Sequence, residues 1–160
     1  MSDPNPRART DAELRRRLLA EFSVPSEPGN ERLAMERVAE AIGELEVRGE
    51  NLERLKTAVA EATMNAMEHG NKYRAEVPVE VMVLVEDQDL MVRITDRGSG
   101  PPAKAGVVPD LEAKLGGSQT PQGWGKFLIA QMVDEVRVSG NPDHHTVELV
   151  LRLEVGKDGN

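Results

Sequence analysis

Residues 55–96, LKTAVAEATMNAMEHGNKYRAEVPVEVMVLVEDQDLMVRITD, change their hydrophobic period part-way, and that change sets the fold class. The first half buries Leu55, Val59, Ala62 and Ala66 at helical spacing, with Asn51 as the candidate N-cap and Gly70 placed to stop the helix. The second half alternates. Val77, Val79, Val81, Val83 and Val85 share one strand face, with Glu80, Met82, Leu84 and Glu86 opposite. Pro78 marks an edge or the point where the strand begins. Asp87-Gln88-Asp89 then turns the chain into Leu90, Val92 and Ile94, which predicts an antiparallel hairpin.

Upstream, residues Met1 to Arg9 carry two prolines and little apolar content, so they are expected to be disordered. Thr10 and Glu13 form a capping-box pattern that predicts a short helix through Leu14, Leu18 and Leu19, followed by a brief strand at Phe22 and Val24. A further helix is expected from about Ser26 to Pro28, with Ala34, Val38, Ala41, Ile42 and Leu45 at helical spacing. Arg48-Gly49-Glu50 reads as its connecting loop. Downstream, residues 97–122 are rich in Gly and Pro without a sustained period, the pattern of a long lid loop with a turn or two of helix at Asp110 to Leu115. Lys126 to Val133 returns to helical spacing and Val136 to Ser139 begins a strand. Asn141-Pro142-Asp143 turns into a last strand with Val147, Leu149, Leu151 and Leu153 on one face. Helices, two strands, lid, helix and two strands describe an α+β sandwich.

The chain has 160 residues, enough for one hydrophobic core, and its 2% aromatic content leaves that core to Val, Leu, Ile, Met and Ala. The net charge of −8, with both signs interspersed, lacks the basic stripe of a nucleic-acid binder, and the scarcity of aromatics argues against a base-stacking platform. With no cysteine, disulfides and thiolate zinc sites are excluded. No apolar run approaches the roughly 20 residues that span a bilayer, and the first residues lack the apolar core of a signal peptide. A cytoplasmic location, away from membranes, is the resulting expectation.

Three groups of residues could carry chemistry. Glu61, Asn65 and Glu68 lie along one helix stripe, beside His69 and Asn71, and a carboxylate one turn from an amide suits water and a hard cation. Such spacing also describes an ordinary solvated helix face, although Asn is a poor helix former and unusual there. Asp96-Arg97-Gly98-Ser99-Gly100 follows a strand. A carboxylate at a strand end can accept a hydrogen bond from an exocyclic amine such as that of adenine, and the glycines admit a ligand close to the backbone; an Asp-capped turn is the plainer reading. Gly116-Gly117-Ser118 and Gly123-Trp124-Gly125-Lys126 lead into a helix, where glycine-exposed N–H groups make an anion site and Lys126 can add charge. Neither a Walker A loop nor a dinucleotide fingerprint is present. Trp124 suits a lid or packing role. His144 and His145, adjacent at a turn, point to opposite sides and are expected at the surface.

Taken in order, the groups resemble a known pattern. Glu61-x-x-x-Asn65 with Glu68-His69-Gly70-Asn71 resembles the N box of the histidine-kinase/gyrase-type (GHKL) ATPases, Asp96-x-Gly98-x-Gly100 their G1 box, and Gly123-x-Gly125 their G2 box. Within that superfamily, LKTAVAEATMNAMEHGN and GWGKFLIAQMVDEVRV are most similar to the stand-alone anti-sigma factor serine kinases. The resemblance runs from Phe22 to Leu153. It implies a two-layer Bergerat-type sandwich, a mixed sheet covered on one face by helices, occupying residues 22–154 between an extension (1–21) and a disordered tail (155–160).

The resemblance also implies roles. Asn65 would coordinate Mg²⁺ on the phosphates of ATP, Glu61 would be the general base, and Asp96 would bind the adenine amine. Gly98 and Gly100 would shape the nucleotide floor. Gly117, Ser118, Gly123, Trp124, Gly125 and Lys126 would surround the nucleotide from the lid side, with His69 and Asn71 near it. Gln122 stands where relatives often carry Arg, and Lys126 where they tend to be apolar. The implied protein is a homodimeric anti-sigma factor that holds a sigma factor and phosphorylates a serine of an anti-anti-sigma (STAS-type) antagonist. Two other readings stand beside it: an ATP-binding switch module without kinase activity, and a detached sensor-kinase domain, which the lack of a helix pair bearing a phosphoacceptor His disfavours.

Overall fold

In a computed structural model, residues 16–45, 47, 49–98 and 129–153 are described. The elements are β1 (Arg16–Val24), α1 (Asn30–Ala41), a 3₁₀ turn (Gly43–Leu45), α2 (Gly49–Asn65) running into a π-helical turn (Ala66–Gly70), β2 (Val79–Glu86), β3 (Asp89–Asp96), β4 (Glu135–Asn141) and β5 (His144–Arg152). The strands form one sheet in the order β1-β2-β3-β5-β4. Helices α1 and α2 pack together against one of its faces.

The valine alternation does what its period requires. Val79, Val81 and Val83 of β2 are buried with Leu90, Val92 and Ile94 of β3 and Leu149 and Leu151 of β5, beneath Ala34, Val38, Leu55, Ala58, Val59 and Ala62 of the helices. The alternate residues Leu84, Met91 and Val150 form a smaller apolar cluster on the other face, with Met82 against it. The hairpin is as tight as its sequence implies: Glu86 pairs with Asp89, and Asp87 takes a left-handed φ of 57°. Asn141 closes the β4–β5 turn by accepting the N–H groups of Asp143 (2.8 Å) and His144 (3.1 Å).

Several expectations change. The sheet expected to be mixed has only antiparallel pairings among its described strands. Leu18 and Leu19, assigned to a helix, belong instead to β1, which already pairs with β2 from Arg16↔Glu86. Ala20, Phe22 and Val24 lie opposite Val83, Val81 and Val79, and a register shift between Leu18 and Ala20 lets Leu19 pack on the core while Leu18 stays exposed. A strand's worth of unpaired backbone on β2 outweighs the local helical spacing. The described part of the chain therefore enters the sheet before Phe22. Helix α1 also begins later than expected, at Asn30, with Gly29 (φ 100°) as its N-cap; Ser26 is wholly buried instead and donates to the Val77 carbonyl at 2.6 Å. Pro78 marks where β2 begins rather than an edge.

Candidate nucleotide site

The turn that follows α2 brings Gly70 and Asn71 to the end of β3. Leu55, Ala58, Val59 and Ala62 anchor the helix in the core, which leaves Glu61 and Asn65 half-buried on the adjoining stripe. Burial lifts the Glu61 carboxyl above the ordinary carboxylate range, and the negative charge of Glu31, in the first turn of α1, adds to the effect. Beyond Asn65 the helix widens. The Asn71 N–H bonds the Ala66 carbonyl at 2.8 Å, the Tyr73 N–H bonds that of Met67 at 2.7 Å, and Lys72 and Tyr73 both adopt positive φ. Single π turns of this kind cluster at functional sites.

This turn lays Gly70 directly against Asp96. A Cβ at position 70 would stand 2.5 Å from both carboxylate oxygens, and one at Gly98 would stand 2.9 Å from Asp96 Oδ1 and from the Gly70 Cα. Gly70 is therefore demanded by contact with the carboxylate, not only by helix termination. Gly70→Ala is expected to displace the carboxylate and destabilise the chain by about 1–3 kcal/mol, the usual cost of overpacking, as thermal unfolding would register.

Asp96 ends β3 and is 7% exposed. Its Oδ1 accepts the Gly98 N–H at 2.7 Å and faces His145 Nδ1 at 3.3 Å. Desolvation outweighs both contacts and holds the carboxyl above its ordinary value. His145 is thus no surface residue: strand alternation sends it inward, and the pairing of Asp96 with His145 across β3 and β5 puts it beside the carboxylate. The adjacency of two histidines hid this, and only the strand register reveals it.

Asn71 is wholly buried, and its amide is committed within the protein. Nδ2 donates to Ser26 Oγ (3.0 Å) and to the carbonyls of Val77 (3.0 Å) and Pro78 (3.3 Å), while Oδ1 accepts the Arg97 N–H at 2.7 Å. The side chain staples the π turn to the residue after Asp96, so it braces the site from beneath. Asn71→Ala strands several of these partners and is expected to cost about 2–4 kcal/mol of stability, readable in chemical denaturation. His69 is half-buried, its Nε2 3.7 Å from Glu68 Oε1. Gly100, Gly117, Ser118, Gly123, Trp124, Gly125 and Lys126, with the lid and its expected helical turn, lie outside the described residues.

The π turn that continues the helix bearing Glu61 and Asn65 thus meets a buried Asp at the end of the central strand of a helix-covered antiparallel sheet. The sequence matches the family described as "Histidine kinase-like ATPase domain" over residues 24–151. The chain belongs to that family. Among curated relatives of this ATPase domain is the anti-sigma F factor of Pasteuria penetrans, 30% identical over 152 residues, covering 90% of the chain and 95% of the relative. The anti-sigma F factor of Bacillus subtilis (strain 168) is 30% identical over 144 residues, covering 86% and 92%. The fold is shared with the SiaB–SiaC complex structure from Pseudomonas aeruginosa (TM-score 0.58, 14% identity, 84% of this chain and 90% of that one). It is shared too with the structure of the RsbU and RsbW domains of Rv1364c from Mycobacterium tuberculosis (TM-score 0.61, 18% identity), where it covers 84% of this chain and 32% of that longer one. No helix among the described residues of the domain is long and apolar enough to cross a membrane.

Proposed function

We propose that the chain is an anti-sigma factor with ATP-dependent protein serine kinase activity, switched by a STAS-type antagonist. The observation that carries this reading is the likeness to anti-sigma F factors across 90% of the chain and 95% of the relative, which includes the helix bearing Glu61 and Asn65. Asp96 accepts a hydrogen bond from the adenine amine, and Gly70 and Gly98 let the backbone close tightly around its carboxylate. Gly117, Ser118 and Gly123 to Lys126 are assigned to the nucleotide from the lid side.

The donors suit a magnesium ion. Asn65 offers it an amide oxygen, with the Glu61 carboxylate one turn away and free to act as base, and Mg²⁺ typically takes few protein oxygens together with substrate phosphates. When bound, it neutralises charge on the phosphoryl oxygens. Glu61 takes the proton from the attacking serine hydroxyl; the Oγ–P bond forms as the bond from the γ-phosphorus to the β,γ-bridging oxygen breaks, and ADP departs with the electron pair. A carboxyl raised by burial is a stronger base than one in water, which suits that role.

The anti-sigma half is tested by mixing the chain with sigma factors of its own cell, with and without Mg-ATP, and following complexes by gel filtration. One sigma factor is expected to bind and to be released by unphosphorylated antagonist. Failure of every sigma factor to bind with nucleotide present would remove that half of the proposal.

A further inference from the structure

We propose that His145 is the positioning residue for Asp96, and that discrimination in favour of a purine carrying an exocyclic amine depends on its imidazole. This rests on the reading of Asp96 as the base-recognising carboxylate and adds to it the group that sets its geometry. His145 and Asp96 are register partners at the ends of β5 and β3, with Nδ1 3.3 Å from Oδ1. The Gly98 N–H reaches the same oxygen at 2.7 Å. Oδ1 is thus held from its own loop and from the neighbouring strand, while Oδ2 receives no hydrogen bond among the described residues and is the oxygen left to meet a ligand donor.

The seat of the ring is built into the sheet. On its other side His145 pairs with Gly140 of β4, and a Cβ at 140 would stand 3.0 Å from His145 Cδ2 and 2.7 Å from the His144 carbonyl oxygen. Glycine there makes space for the imidazole between β3 and β4, and only 16% of the side chain is exposed. A ring confined this way fixes the plane of the carboxylate it touches. Orientation matters because a site built to hydrogen-bond a substrate group rejects the analogue lacking it only while the acceptor stays aimed.

The test compares calorimetric Kd values for Mg-ATP and for purine riboside triphosphate, which lacks the exocyclic amine, across wild type, His145→Leu and His145→Asn. Wild type is expected to prefer ATP. His145→Leu is expected to lose about tenfold of that preference, nearly all of it on the ATP side, as for a lost hydrogen bond to a charged group. His145→Asn, whose amide N–H lies near the Nδ1 position, is expected to restore most of it. Should the leucine variant fail to fold, His145→Ala is read in the same way. Wild-type preference that survives loss of the imidazole, or equal losses for both nucleotides, overturns the role of His145 and leaves Asp96 in place. No preference in wild type overturns the reading of Asp96 itself.

Discussion

Asp96→Asn is expected to lower ATP affinity by about 100-fold or more while leaving the nucleotide-free chain at least as stable as wild type. The asparagine oxygen can still accept from Gly98 N–H and His145 Nδ1, so the local hydrogen bonds survive. Its amide, however, offers a donor to an adenine amine that also donates. The stability half follows from the raised carboxyl. The folded state holds this proton more tightly than the unfolded one, so stability falls as pH rises from the ordinary carboxylate value through the raised folded value, and the cost is fully present above it. Asparagine removes that cost. Calorimetric titration with Mg-ATP and thermal unfolding of the apo proteins at neutral pH read the two halves. A variant that binds ATP normally removes Asp96 from base recognition, and one that is less stable contradicts the account of its burial.

Glu61→Gln is expected to abolish phosphoryl transfer, by about 10²–10⁴-fold, while ATP affinity changes little. Glutamine keeps the shape and an oxygen donor but cannot take the hydroxyl proton. In wild type the transfer rate is expected to fall on acidification through the raised value of Glu61, hence at a pH above that of an ordinary carboxylate, because only the ionised form is a base. Single-turnover phosphorylation across pH reads both. Retained transfer in the glutamine variant would assign the base elsewhere.

The helix-to-strand change between Leu55 and Ile94 was legible because each half repeats its own period over several turns or pairs. β1 was not. Leu18 and Leu19 stand at helical spacing from Leu14 in the sequence, whereas β1 answers to β2, 55 to 70 residues away, through pairs such as Phe22↔Val81. The same limit governs the site. Glu61, Asn65 and Asp96 could be named from local spacing and resemblance, but the π turn at Ala66–Gly70 could not, since AMEHG suits an α-helix equally well. Its shape goes with the contact of Gly70 with Asp96 and the reach of Asn71 to Arg97, both across long stretches of chain. His145 shows the point most clearly. Alternation correctly placed the two histidines on opposite sides, but only the register with Asp96 and Gly140 says which side is the site.

Incubation of the purified chain with Mg-ATP and its unphosphorylated STAS-type antagonist, read by intact mass and peptide mapping, tests the central claim most directly. The account predicts one phosphoryl group on a serine of the antagonist, absent with Glu61→Gln. Persistent ATP binding with no phosphoserine at any time would contradict it, and would make the chain a nucleotide-dependent binding switch instead.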